Sequence, residues 1–257
     1  MDTEEQHLER DRSSDPVTGA EEGSRSTHVR EETAVSMSWG RVIALGLACT
    51  VALLLFSTFV LQPFLVPSGS MQPTLRIGDR VLVNKLAYRF GSEPRRGDVV
   101  VFDGTGSFVQ ETGAEGNAFG ELLHGAAASL GLAEPAGSDF VKRVVGVGGD
   151  RVVCCDRRGR IEVNGDPVTE RYLYPGDRPS AVAFDIVVPD GRLWMMGDHR
   201  GNSRDSRDHL GQPGGGMVPV ERVIGRVDWL GWPLGRIGSL EGTDAFVGTR
   251  PPGADHG

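Results

Sequence analysis

Residues 139–154 read DFVKRVVGVGGDRVVC, and this stretch sets the pattern for most of the chain. Two runs rich in valine, Phe140–Val145 and Arg151–Cys154, flank the turn pair Gly149-Asp150. β-Branched and aromatic side chains favour strands, and glycine next to aspartate favours a tight turn. The stretch therefore predicts two short strands joined by a turn.

The same alternation of apolar runs and turn residues recurs on both sides of this stretch. Five more segments are predicted strands: Arg80–Asn84, Asp98–Phe102, Ile161–Val163, Ala181–Val188 and Arg192–Met196. Turn pairs punctuate them at Gly78-Asp79, Gly97-Asp98, Asn164-Gly165 and Gly197-Asp198. The 37 glycines and 15 prolines also favour short strands over long helices. We expect a body that is mainly β.

An apolar segment precedes this body. Residues 42–61 contain neither a charge nor a proline over 20 positions, and a helix of this length spans roughly 30 Å, the thickness of the hydrocarbon core of a bilayer. A buried core helix and a cleaved signal peptide are the alternatives. Since 41 mostly polar residues come first, we expect a permanent transmembrane anchor.

The charges around the anchor predict its orientation. Arg25, Arg30 and Arg41 precede the apolar segment, and Arg76 follows it. By the positive-inside rule this favours a single-pass protein of the cell membrane with a cytoplasmic N-terminus and an extracytoplasmic body.

The remaining composition divides the chain into regions. Residues 1–41 are acidic and read as a disordered cytoplasmic tail, whereas 62–237 form the β-rich body. Within that body the Gly- and Ala-rich residues 103–138 read as an insertion, with a possible short helix at Glu121–Leu132. The Gly- and Pro-rich residues 238–257 are expected to be a flexible tail.

Charge and cysteine usage exclude some classes of function. The net charge of −8 gives no reason to expect a nucleic-acid partner, which would need a basic face. Three cysteines, two of them the neighbours Cys154 and Cys155, are expected to be packing residues and not a disulfide framework.

One serine stands in a segment suited to hold a nucleophile. Residues 67–75 read PSGSMQPTL, in which Gly69 permits a tight turn beneath Ser70. Ser70 is nine residues beyond Leu61, so it stays within roughly 30 Å of the end of the anchor. A polar linker leaving the membrane is the alternative reading.

A serine hydroxyl needs a base, and the chain offers few lysines. Only Lys85 and Lys142 occur among 27 basic residues, and a desolvated lysine can lose its proton whereas arginine cannot. Lys142 lies in an apolar strand, where burial would lower its pKa. Lys85 remains the rival base, and His199 or His209 with a neighbouring aspartate would form a serine–histidine triad.

Taken together, four ordered segments resemble the type I signal peptidases, the bacterial leader peptidases. The matching segments are Ser68–Leu75, Gly78–Lys85, Asp139–Gly146 with Gly149-Asp150, and Gly197-Asp198 with Asn202–Arg207. This family implies a β-sheet catalytic domain behind a single N-terminal transmembrane helix. It also implies a serine endopeptidase that needs no cofactor or metal, works at the lipid bilayer and removes signal peptides from secretory preproteins.

The resemblance implies a role for each matching residue. Ser70 would be the nucleophile of an acyl-enzyme mechanism and Lys142 its general base. The hydroxyl of Ser68 and the amide of Ser70 would form the oxyanion hole, and Ser203 would orient the lysine. The expected structural ion pairs are Asp198 with Arg143 and Asp205 with Arg207; the alternative for this Arg- and Asp-rich loop is a solvated surface.

Some residues depart from the family pattern, and other functions stay open. His199 stands where asparagine is usual, and Gly201 where aspartate is common. A self-cleaving Ser-Lys protease like the SOS repressors shares the fold type, but it is cytosolic and carries a DNA-binding domain. A non-catalytic, membrane-tethered β domain that scaffolds secretion partners is the non-enzymatic alternative.

Overall fold

A computed structural model describes residues 39–109 and 138–253. Its α-helix, α1 (Trp39–Phe59), is rich in leucine and alanine, two strong helix formers. Among the described residues it is the one helix long and apolar enough to cross a membrane. The helix begins three residues before the predicted segment 42–61. It ends at Phe59, before the end of that segment, because Leu61 already belongs to the first strand.

The larger of two antiparallel sheets holds most of the β body. In sheet order its strands are β1, β2, β11, β3, β4, β9 and β10, with β12 also paired to β11. Their bounds are β1 (Leu61–Leu65), β2 (Arg80–Asn84), β3 (Val99–Asp103), β4 (Asp139–Val147), β9 (Arg192–Met196), β10 (Val218–Pro219), β11 (Val223–Trp232) and β12 (Gly238–Ser239).

The smaller sheet lies between β4 and β9 in the chain. Its order is β7, β6, β5 and β8. The bounds are β5 (Arg151–Cys154), β6 (Ile161–Val163), β7 (Asp166–Pro167) and β8 (Phe184–Val187). The mainly β architecture that the sequence predicted is therefore confirmed, with a strand at each of the seven predicted segments.

β11 is the central strand that the sequence did not reveal. Its sequence, VIGRVDWLGW, mixes glycine and charges with apolar residues, so it shows no simple strand pattern. It pairs with β2 on one side and with β3 on the other. The sheet is thus two halves that this late strand joins, one containing β1 and β2 and the other containing β3, β4 and β9.

The core forms where alternate strand residues face inward. Val81 and Val83 of β2 are fully buried, while Leu82 between them is only half-buried, as the two-residue period of a strand requires. They belong to one core cluster with Phe64, which precedes Ser70 in the chain, and Met71, which follows it. Full burial of such a side chain contributes about 1.5–3 kcal/mol, so this cluster fixes the segment firmly.

Two expectations were wrong, one about the C-terminal residues and one about the neighbouring cysteines. Residues 238–253 do not extend freely: Phe246 is buried, and the amide of Gly253 donates to the carbonyl of Gly149 at 2.9 Å. Cys154 and Cys155, at the end of β5, are joined by a disulfide and are not free packing residues. Most of the predicted insertion, including its possible helix, lies outside the described residues.

Candidate active site

Ser70 lies on a single 3₁₀ turn, Gly69–Met71, that follows β1. The turn is buried, and the amide of Gln72 closes it by donating to the carbonyl of Gly69 at 3.1 Å. A Cβ atom at Gly69 would lie 3.2 Å from the side-chain amide of Asn202, so this position is closely approached by the loop after β9. The Pro- and Gly-containing sequence of this turn therefore holds Ser70 in a fixed place.

Lys142 meets Ser70 from the strand β4. Its Nζ atom lies 2.6 Å from Ser70 Oγ, within hydrogen-bonding distance, and both side chains are at least nine-tenths buried. Burial lowers the pKa of Lys142 to about 8, against the smaller opposing effect of the carboxylates of Asp205 and Asp198. The two residues separated by 72 positions in the chain thus form a buried hydroxyl–amine pair.

Ser68 stands beside the same hydroxyl. Its Oγ atom lies 3.3 Å from Ser70 Oγ, at the edge of hydrogen-bonding range. Ser68 belongs to the turn just before the 3₁₀ segment, so a single short stretch carries both hydroxyls. The Ser68 hydroxyl is therefore close to any group that reacts at Ser70 Oγ.

Arg143 and Asp198 form a buried bidentate ion pair beside Lys142. The register of β4 and β9 sets Arg143 opposite Met196, two residues before Asp198. Arg143 Nε and Nη2 donate to the two carboxylate oxygens at 2.8 and 2.7 Å, with 3% and 0% of the side chains exposed. Thr74 also donates to this carboxylate.

Asp205 and Arg207 form the second expected pair. Two guanidinium nitrogens donate to the carboxylate at 2.8 Å each, and the amide of Gly197 donates to it at 3.0 Å. Burial alone would raise the pKa of Asp205, but these donors hold it below its ordinary value. Asp198, Asp205 and Arg207 of this loop are therefore buried and paired, whereas Arg204 and Asp208 are exposed.

Ser203 lies next to the site without a hydrogen bond to the lysine. Its hydroxyl is buried, and no hydrogen bond joins it to Lys142 Nζ among the described residues. It packs against Gly197 so closely that a Cβ atom there would lie 2.2 Å from Ser203 Oγ and 2.5 Å from the Ser70 carbonyl oxygen. The absence of a side chain at Gly197 thus lets the loop approach the serine turn.

The rival bases lie elsewhere. Lys85 Nζ donates to Gln62 at 2.9 Å. His199 stacks on an aromatic ring and reaches Ser70 only through its backbone amide, which donates to the Ser70 carbonyl at 3.0 Å. His209 Nδ1 bonds Gln212 at 2.9 Å. No Ser-His-Asp triad forms among the residues described, nor does any group of three or more potential metal ligands.

The sequence did not reveal a further buried ion pair at the site, between Glu170 and Arg200. Arg200 lies between the two parts of the last matching segment, whereas Glu170 lies in the smaller sheet's β7–β8 connection, far from any motif. Pairing across 30 positions leaves no local signal. Only the tertiary structure reveals it.

Comparison with known proteins assigns the chain to a family. A family model described as signal peptidase, peptidase S26, matches residues 37–232. The chain is 37% identical to a probable signal peptidase I of Mycobacterium leprae, covering 80% of this chain and 79% of the relative. It is 36% identical to the signal peptidase I of Mycobacterium tuberculosis, covering 91% and 86%.

A solved signal peptidase I from Enterococcus faecalis is more distant. It aligns over 52% of this chain and 97% of its own length, at 20% identity and a TM-score of 0.33. The assignment accordingly depends on the sequence relatives and the family model. On that ground, the chain belongs to the signal peptidase family, peptidase S26.

Proposed function

We propose that this chain is a membrane-anchored serine endopeptidase that cleaves signal peptides with Ser70 as nucleophile and Lys142 as general base. Membership of the family makes the chain a peptidase that removes signal peptides from secretory preproteins. The observation that carries the finer proposal is the 2.6 Å approach of Lys142 Nζ to Ser70 Oγ in a buried site.

The proposed reaction begins with Lys142 as a neutral amine. It accepts the proton of Ser70 while the serine oxygen attacks the scissile carbonyl carbon. The resulting ammonium then gives this proton to the leaving amine, which frees the mature protein and leaves an acyl-enzyme. Lys142 next takes a proton from water, whose oxygen attacks the ester carbonyl carbon. The ammonium then returns this proton to Ser70 Oγ as the ester bond breaks, which releases the signal peptide and restores both residues. A lowered pKa suits the lysine to both roles near neutral pH.

Other polar groups would stabilise the charge that develops. The Ser68 hydroxyl and the Ser70 amide would donate to the oxyanion, and loss of one such donor typically costs about 10² to 10³ in rate. Ser203, buried next to the Ser70 turn, would orient the lysine once the ammonium forms or a substrate binds. The pairs Arg143–Asp198 and Arg207–Asp205 would hold the surrounding loop in place.

The apolar helix α1 would anchor this site to the cell membrane. Its exposed side chains and its length suit a single span of the bilayer. Basic residues precede it more often than they follow it, which favours a cytoplasmic N-terminus and an extracytoplasmic catalytic domain. No nucleic-acid partner is expected for so acidic a chain.

The proposal is tested by cleavage of a secretory preprotein by the detergent-solubilised full chain, with the cut mapped by mass spectrometry. We expect Ser70→Ala and Lys142→Ala each to abolish cleavage. Lys142→Arg should be equally inactive, because a guanidinium stays protonated at any useful pH. Lys85→Gln is the matched control and should keep wild-type activity, since Lys85 contacts Gln62 instead.

Two outcomes would contradict the proposal. Substantial cleavage by either Lys142 variant would exclude this lysine as the base. A folded wild-type protein that never cuts a preprotein, under conditions where a known relative does, would favour the non-catalytic membrane-tethered domain.

A further inference from the structure

The connection between β7 and β8 in the smaller sheet reaches into the proposed active site. We call its residues 170–179 the brace. The amide of Tyr174 donates to the carbonyl of Asp198 at 3.0 Å, and the carboxylate of Asp177 accepts from the amide of Gly201 at 3.0 Å. The ring of Tyr174 stacks on His199 with centroids 3.9 Å apart and planes 13° from parallel. Together with the contacts of Arg200 described next, the brace contacts all four residues from Asp198 to Gly201.

A buried ion pair fastens the start of the brace. Glu170 and Arg200 side chains are each only 2% exposed, and both guanidinium nitrogens donate to the carboxylate, Nη1 at 3.0 Å. Arg200 also donates to the carbonyl of Gly197 at 3.0 Å and to that of Pro179 at 2.6 Å. One arginine thus ties both ends of the brace to the residue that follows β9.

A second route runs from Glu170 to the residue next to Lys142. The hydroxyl of Tyr172 donates to Glu170 at 2.7 Å. The guanidinium of Arg143 lies over the Tyr172 ring, 4.1 Å from its centroid, a cation–π contact. Arg143 in turn holds Asp198 in the bidentate pair. Glu170 is therefore linked to the site through Arg200 and, independently, through Tyr172.

A buried charge pair is costly to form unless every donor and acceptor is used, so its presence calls for a reason beyond packing. We propose that Glu170 is a positioning residue that, through Arg200 and Tyr172, holds residues 197–203 in register with Ser70 and Lys142. The inference deepens the proposed function and rests on the Ser70/Lys142 chemistry. On this proposal the connection between two strands of the smaller sheet helps to position the catalytic groups, although no residue of that sheet touches the reacting atoms.

The charge of Glu170 gives this role a distinct signature. In Glu170→Gln the guanidinium of Arg200 loses its partner, and its uncompensated positive charge faces Asp205, one of the carboxylates that favour the ammonium form of Lys142. The pKa of Lys142 should then fall. The charged and titratable groups around Arg200 and Lys142 that take part are Glu170, Tyr172, Arg143, Asp198, Asp205, Arg207 and Asp208.

The experiment measures kcat and KM for a signal-peptide substrate across pH in the detergent-solubilised full chain. In Glu170→Gln we expect kcat to fall by about tenfold to 100-fold, as a small displacement of catalytic groups does. KM should change little, and the acid limb of kcat/KM should move to lower pH. Glu170→Asp should recover part of kcat and the wild-type limb. Asp185→Asn, in an exposed ion pair of the same sheet, is the matched control and should behave as wild type.

A double variant separates charge from geometry. Glu170→Gln with Arg200→Gln leaves no unpaired charge, so the fold should tolerate it better than the single change. We expect the same loss of kcat, with the acid limb back at the wild-type pH. A folded variant of either kind with wild-type kcat would overturn the proposal. Ser70→Ala in the same assay tests the underlying chemistry separately, so the two ideas can fail independently.

Discussion

The pH dependence of cleavage is the sharpest test of the buried amine. Lys142 must be neutral to accept the proton of Ser70, so the rate should follow the neutral fraction of this one side chain. Burial moves its pKa from an ordinary 10.5 to about 8. This shift corresponds to roughly 3 kcal/mol of preference for the neutral form, at about 1.4 kcal/mol per pKa unit.

The expected profile follows from these two values. At pH 7 about a tenth of the enzyme would hold neutral Lys142, compared with about 0.03% for an unshifted lysine, a difference of roughly 300-fold. Plotted as a logarithm, kcat/KM should rise with unit slope up to a pH of about 8 and then level off. The acid side is therefore the inactive side, because protonation there removes the base.

The assay is the initial rate of cleavage of a quenched fluorescent signal-peptide substrate, at substrate concentrations far below KM, from pH 5.5 to 10. Circular dichroism at each pH ensures that only folded enzyme is compared. A plateau that persists unchanged down to pH 6 would mean that another group takes the proton. A rise in kcat/KM centred near pH 10 would mean that Lys142 is solvated during the reaction, which would refute the lowered pKa.

Two further predictions concern the frame around the dyad. Asp198→Asn should lower the free energy of unfolding by about 3–5 kcal/mol in urea titrations followed by circular dichroism, because it leaves a buried guanidinium unpaired. Asp185→Asn, in an exposed pair, should change it far less, and equal losses would contradict this reasoning. Gly197→Ala should reduce the cleavage rate at least 100-fold, since its Cβ atom would overlap a neighbouring hydroxyl and carbonyl. Gly211→Ala, with open space around it, should cleave normally; a normal rate in both variants would refute the steric argument.

Much of the fold was predictable because most of its strands have a recognisable local sequence. Runs such as Arg80–Asn84 and Arg192–Met196 are short, valine- or methionine-rich and bounded by turns, and their predicted limits match the structure. β11 was not predicted because its residues suit their neighbours in the sheet and not a strand pattern. Gly225, for example, is required because the backbone of Asn84 lies too close for a side chain, although glycine does not favour strands. Pairing partners, and not local propensity, make this segment a strand.

The site divides in the same way. Ser70 and Lys142 could be named because each stands in a distinctive segment, and the structure brings the two together. Ser203 was expected to contact the lysine, but here it is buried against Gly197. Glu170 could not be found from the sequence, since a single glutamate in a polar connection resembles any surface residue until its partner is known.

The position of β11 has a consequence for synthesis of the protein. A ribosome delivers the serine turn first and the lysine strand some 70 residues later, yet within the larger sheet the strand that pairs with both halves is β11, residues 223–232. Pairing over such long separations is slow, and a nascent chain lacking those ten residues has no sheet to align its two reactive groups. We therefore expect proteolytic competence to arise only after residues 223–232 have been synthesised and paired.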